Sequence, residues 1–166
     1  MVIDISDILL VTATLLCALT AGLVFAFAVV VMPGIQSLSD REFLQSFKAM
    51  DRVIQENDPP FMLVWLGSAL VLIAAVLLNY GTLTGANRWL LLGAAVMYLV
   101  GVQLPTIVVN IPLNNGLQRL ELHALDEVAL RDARNAFESR WTRWNAIRTV
   151  FACLASAALM ALLLRI

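Results

Sequence analysis

The sequence predicts an all-α integral membrane protein, a four-helix bundle with amphipathic helices in its two long loops. Two observations carry this. Of the 166 residues, 61% are apolar and only 14% charged. Soluble globular chains hold about 45–50% and about 25%, so a water-soluble domain of this size could not hide the surplus apolar surface. The charges are also segregated, leaving charge-free stretches at residues 8–39, 59–87, 89–118 and 149–164. Mean hydropathy is +0.85. Eight glycines and two cysteines exclude collagen-like and disulfide-scaffold chains, and a net charge of −1 offers no basic field to nucleic acid.

A spanning helix needs roughly 20 predominantly apolar residues. The first span is placed at about 6–32. Asp4 and Asp7 precede it where a signal peptide would be basic, and Pro33 closes it, so it reads as a retained span. Thr14, Ala18, Gly22 and Ala26 recur every four residues, a spacing that lets membrane helices approach closely. In residues 41–56, Phe43, Phe47, Met50 and Ile54 share one helical face, with Gln45, Lys48, Asp51 and Arg52 elsewhere. That is an amphipathic helix, lying on the membrane surface or over the bundle mouth. Asn57-Asp58-Pro59-Pro60-Phe61 supplies a polar cap and first-turn proline for a second span at about 61–80.

The third span is placed at about 89–109, with Gly93 and Gly101 on one face. Pro105 and Pro112 remove backbone donors. Carbonyls freed at membrane depth must be satisfied internally or line a cavity. In the second long loop, Leu130, Ala133, Phe137, Trp141 and Trp144 repeat with helical spacing, predicting a helix over about 126–143 that runs unbroken into a fourth span at about 144–164. Within that span Ala152 and Ser156, then Ala157 and Ala161, repeat the small-residue spacing.

The fourth charge-free stretch is too short alone. Its 16 residues cover about 24 Å of a roughly 30 Å hydrocarbon core. The span therefore begins near Trp144 or Asn145, which brings Arg148 to the membrane boundary or just inside it. The connections 33–60 and 110–144, with Arg148 beyond, carry nine Lys and Arg, against Arg88 and Arg165 on the other side. This bias places the long loops in the cytoplasm and both termini outside, in a multi-pass protein of the cell (inner) membrane.

Polar residues converge at the loop-side ends. Asn110 and Asn114 flank Pro112 and serve either as helix caps or as bonds to freed carbonyls. Trp141, Asn145 and Arg148 share one helix face. Arg148 either snorkels to the headgroups or pairs inward with the asparagines or an anionic ligand. Trp141 and Trp144 suit headgroup anchoring. Phe25 and Met32, near the end of the first span, suit a flat apolar ligand or ordinary packing. His123, the sole histidine, is either uncommitted or a proton carrier. Cys17 and Cys153 fall in apolar runs and suit packing. No G-x-S-x-G, P-loop, G-x-G-x-x-G or H-E-x-x-H occurs. No histidine pair exists to ligate haem axially, so a haem or copper site would have to draw on Cys17, Met32, His123 and Cys153.

Taken together, Gly22, Phe25 and Met32-Pro33, then Asn57-Asp58-Pro59-Pro60-Phe61, then Asn110-x-Pro112-x-Asn114, then Trp144-Asn145-x-x-Arg148 resemble the anthrone oxygenase-like family of small four-span membrane proteins. The resemblance covers nearly the whole chain in order and spacing. It implies an oxygenase that oxidises a phenolic or anthrone-like substrate with O₂, without metal or flavin cofactor. An anthrone that loses its central-carbon proton becomes an electron-rich anion able to pass an electron to O₂ directly. In that role Arg148 would stabilise the anion. Asn110, Asn114 and Asn145 would orient its oxygens, and His123 or a held water would take the proton. Trp141, Trp144, Phe25 and Met32 would complete the pocket. The alternative is a non-catalytic membrane protein that binds a quinone, lipid or partner helix at the same mouth. Expected partners are a small hydrophobic or aromatic ligand and membrane lipid. A homo-oligomer stays open.

Overall fold

A computed structural model describes residues 4–166. It holds five helices: α1 (Ile5–Gln36), α2 (Asp40–Gln55), α3 (Pro59–Asn79), α4 (Gly85–Gln118) and α5 (Glu127–Leu163), with a 3₁₀ turn at Leu122–Ala124. No strand occurs among the described residues. α1, α3, α4 and α5 are each long and apolar enough to cross a membrane, so the chain is a multi-pass membrane protein. As the pattern predicts, the second loop helix and the fourth span are one continuous helix, α5.

Polar caps set the helix starts. Asp4 and Asp7 form a capping box on α1, and Ser39 and Glu42 form one on α2. Asp58 accepts from the Phe61 N–H ahead of α3, and Asp126 from the Ala129 N–H ahead of α5. The membrane core is a small-residue seam. Leu10, Ala13, Cys17 and Ala21 of α1 meet Leu72 and Ala75 of α3, Ala94 and Tyr98 of α4, and Ala152, Ala155 and Leu159 of α5.

The prolines do not end their helices. Each of Pro33, Pro105 and Pro112 lies two residues beyond a five-residue wide turn, at Phe27–Val31, Leu99–Gln103 and Thr106–Asn110 respectively. In these turns the N–H groups of Met32, Leu104 and Ile111 reach five residues back, to Phe27, Leu99 and Thr106. Widening the turn ahead of a proline makes room for its ring against the preceding turn and lets the helix continue. α1 and α4 therefore run past the expected boundaries at 32 and 109.

Two expected packing rows also shift. Gly22 is exposed with open space around it, and Ala157 and Ala161 are exposed as well. Steps of four advance about 400° on a helix of 3.6 residues per turn, so a strict i+4 row drifts off its seam. The buried stripe of α1 instead mixes steps of three and four: Leu10, Ala13, Cys17, Thr20 and Val24. Gly101 does make a close approach. A Cβ there would lie 2.7 Å from Cβ of Phe151 on α5.

α2 packs over the bundle mouth. Phe43, Leu44 and Phe47 pack with Met32, Leu117, Leu130, Phe137 and Trp141. Phe47 meets Phe137 and Trp141 edge-on at 4.6 and 5.1 Å between centroids. Basic side chains pin it there. Arg41 donates to the Leu122 and Leu125 carbonyls, and Lys48 donates to the Leu120 carbonyl. Arg134 of α5 donates to the Gln36 and Leu38 carbonyls and to Asp40.

Candidate functional site

α3 packs along α1 and against the first part of α4, and Gln103 farther along α4 donates to the Trp65 carbonyl of α3 at 3.3 Å. Beyond that contact a cavity of about 220 Å³ opens, backed by α1 and α5 and roofed by α2. Leu23, Val24, Phe27, Phe61, Trp65 and Val102 are among its apolar wall residues. Asp51, Asn110, Asn114, Asn145 and Arg148 supply the polar groups. Small-molecule pockets commonly measure about 300–1,000 Å³, so this one is of a size for a single compact ligand.

Arg148 is turned inward and only 7% exposed. It does not snorkel. Nη1 donates to Thr106 Oγ1 at 2.9 Å, and Nη2 donates to Asn145 Oδ1 at 2.8 Å. Its Nε has no partner. Among the described residues no carboxylate oxygen comes within 4.0 Å of it. Burying a cation costs several kcal/mol even after relaxation, and here no directly paired carboxylate offsets it.

The asparagines divide into two kinds. Asn145 donates to the Val24 carbonyl at 3.0 Å and accepts from Arg148, so it ties α5 to α1 and orients the guanidinium. Thr149 Oγ1 also donates to the Val24 carbonyl. Asn114 accepts from Trp141 Nε1 at 2.8 Å and donates to Asp51 Oδ1 at 2.7 Å. Both amide orientations are fixed by chemistry, since indole and guanidinium only donate while carboxylate and carbonyl only accept. Asn110 differs. It is 2% exposed, and neither its side-chain oxygen nor its nitrogen has a partner. Trp65 Nε1, also buried, has none. An unpaired buried polar group costs about 1–3 kcal/mol on protein scales. Asn110, Trp65 and Arg148 all line the same cavity.

Of the residues singled out from the sequence, Asn110, Asn114, Trp141, Asn145 and Arg148 meet at this cavity. Trp141 is buried and bonded to Asn114, where a headgroup anchor would be exposed. Four others lie elsewhere. Phe25 is 50% exposed on the outer face of α1. Met32 is buried in the aromatic cluster beneath α2 and edges a shallow outer groove between α1 and α5. Trp144 is half-buried off the cavity wall, and His123 is exposed in the 3₁₀ turn. No three of His, Cys, Asp or Glu gather at one point among the described residues.

Sequence reasoning missed Asp51. It is 2% exposed on α2 and lines the cavity roof. It accepts from Asn114, from Gln118 at 2.8 Å and from Gln55 at 3.3 Å. The available signal was its register. Phe43, Phe47 and Asp51 form one i, i+4, i+8 row, which puts the carboxylate on the buried face.

Residues 60–158 match the family model described as Anthrone oxygenase. The chain belongs to the anthrone oxygenase family. The matched stretch contains Trp65, Asn110, Asn114, Trp141, Asn145 and Arg148 and leaves out α2 with Asp51. No curated protein and no solved structure matches the chain.

Proposed function

We propose that this member of the anthrone oxygenase family is a membrane oxygenase. Its cavity takes a small phenolic or anthrone-like aromatic and oxidises it with O₂, and the chemistry needs no cofactor. One observation carries the reading: Arg148 is buried at an apolar cavity without a carboxylate within 4.0 Å, and the same cavity is lined by an Asn110 amide with no hydrogen-bond partner. A guanidinium and an amide donor so placed suit an oxygen on which negative charge develops, at no reorganisation cost during reaction.

The reaction balances without further reagents. The acidic C–H proton leaves and the electron pair enters the ring system as an oxyanion facing Arg148. One electron passes to O₂, the radical pair collapses to a carbon-bound peroxide anion, and this takes up one proton in place of the one released, giving a hydroperoxide whose carbon still carries its second hydrogen. Loss of water leaves a new carbonyl. One O₂ is consumed, and one quinone and one water form. The apolar wall admits both the aromatic and O₂. The cell-membrane location, with the long loops in the cytoplasm and both termini outside, belongs to the same proposal.

The test is protein purified in mild detergent and given anthrone under air. Expected is anthraquinone formation with O₂ uptake in a one-to-one ratio, lost in Arg148→Ala while the fold is retained. Binding of anthraquinone without O₂ uptake would make the protein a quinone binder and overturn the oxygenase. A Soret band or a stoichiometric metal in the purified protein would overturn the cofactor-free chemistry.

A further inference from the structure

Resting on the oxygenation proposed above, we infer that Asp51 is the general base that removes the substrate proton. An anthrone-type ring reacts with O₂ only after its central C–H proton has gone, so a proton acceptor must touch the bound ring. Among the residues that line the cavity, Asp51 alone carries a side chain of basic character. The other polar ones are amides, hydroxyls, indoles and Arg148. His123 lies outside the lining.

The carboxylate is built into the site. It is 2% exposed and held by amide donors from Asn114, Gln118 and Gln55. A carboxylate offers about four lone-pair sites, so one stays open. Asp51 and Arg148 are opposite charges buried around one cavity, yet they do not pair within 4.0 Å. Trp141 and Asn114 stand between them. Arg148 Cζ lies 5.7 Å from the Trp141 ring centroid, Trp141 Nε1 donates to Asn114, and Asn114 donates to Asp51. In an anthrone the carbonyl and the acidic carbon lie on opposite sides of the middle ring. A cation at one point of the cavity and a carboxylate at another match that polarity. In the step, the C–H bond breaks, its proton goes to a carboxylate oxygen of Asp51, and the electron pair stays on the ring. The proton then leaves to water at the rim, where Gln55 is exposed and bonded to Asp51.

The base can be tested apart from O₂. Wild type and Asp51→Asn are incubated with anthrone in D₂O without oxygen, and deuterium entering the central carbon is followed above the buffer rate. Anthraquinone binding is read in parallel by tryptophan quenching. Wild type is expected to bind and exchange. Asp51→Asn is expected to bind within about threefold and to lose about 10²–10⁴-fold in exchange, the contribution of a positioned base. Asp51 also helps hold α2, so two more variants separate the roles. Asp51→Glu should restore part of the exchange, and Gln118→Leu, which keeps the carboxylate but drops one tether, should keep most of it. These two decide the matter if Asp51→Asn does not fold. Full exchange in Asp51→Asn, or its loss in Gln118→Leu as severe as in Asp51→Asn, overturns Asp51 as base and leaves the oxygenase standing. A wild type that neither binds anthraquinone nor exchanges overturns the oxygenase itself, and Asp51 as its base with it.

Discussion

Replacing Arg148 with methionine separates a structural arginine from a functional one. The side chain makes two hydrogen bonds, at 2.9 Å to Thr106 and 2.8 Å to Asn145. Bonds involving a charged group contribute about 1.5–3 kcal/mol each, so their loss costs about 3–6 kcal/mol. Against this, methionine removes a buried cation with no carboxylate within 4.0 Å, whose burial costs several kcal/mol. It also fills the space of the arginine stem with a flexible apolar chain. The two terms nearly cancel, and the expected change in stability lies within about 2 kcal/mol of zero. Catalysis has no such offset. Removing one donor to a developing oxyanion lowers kcat by about 10²–10³, and Arg148→Met removes the charge as well. Unfolding in mild detergent and anthrone turnover, measured on one preparation, give both numbers. A variant destabilised by 4 kcal/mol or more, or one that keeps wild-type turnover, would show that Arg148 is a tie between α4 and α5 and not a site residue.

Other outcomes follow from neighbouring geometry. Asn110→Ala removes an amide with no internal partner, so stability should hold or rise while anthraquinone affinity falls. Asn114→Ala strands Trp141 Nε1 and removes one donor from Asp51, and should cost about 1–3 kcal/mol in unfolding experiments. Gly101→Ala would set a methyl 2.7 Å from Phe151 Cβ, which no rotation of the ring relieves. A loss of about 1–3 kcal/mol, with a lower Tm, is expected, and an unchanged Tm would show that α4 and α5 part freely. At the start of α2, hydrogen bonds from the Ser39 hydroxyl and N–H hold the Glu42 carboxyl below its ordinary 4.5. The cap is therefore complete above the unfolded carboxyl's range and loosens as pH falls through the lower folded value. Proteolysis near residues 37–40 should rise on that acid limb in wild type and lose its pH dependence in Glu42→Gln.

Much of this was legible because the membrane imposes simple rules. Charge-free length located four spans, and the shortness of the last one drew attention to Arg148 before any contact was known. Helical spacing alone put Trp141, Asn145 and Arg148 on one face. The misreadings share a cause, which is that sequence spacing does not say which way a face looks. Trp141 had the position and chemistry of an interfacial anchor, but α2 covers the mouth and makes that level an interior. Asp51 sat among charged neighbours on a helix that read as solvent-facing opposite its aromatic side. Its place in the row of Phe43 and Phe47 gained meaning only when that row was seen packed against α4 and α5. The wide turns ahead of the prolines could not be foreseen either, since a proline alone argues for a helix end, and continuation depends on the room around the preceding turn.

The most direct test is an experimental structure of the protein with anthraquinone bound. The planar ring is expected in the cavity beneath α2, with one carbonyl oxygen within hydrogen-bond distance of Arg148 or Asn110 and the opposite carbonyl, at the carbon that Asp51 deprotonates, on the Asp51 side. A quinone found instead in the shallow groove between α1 and α5, or in the cavity with its oxygens turned away from Arg148 and Asn110, would contradict the account.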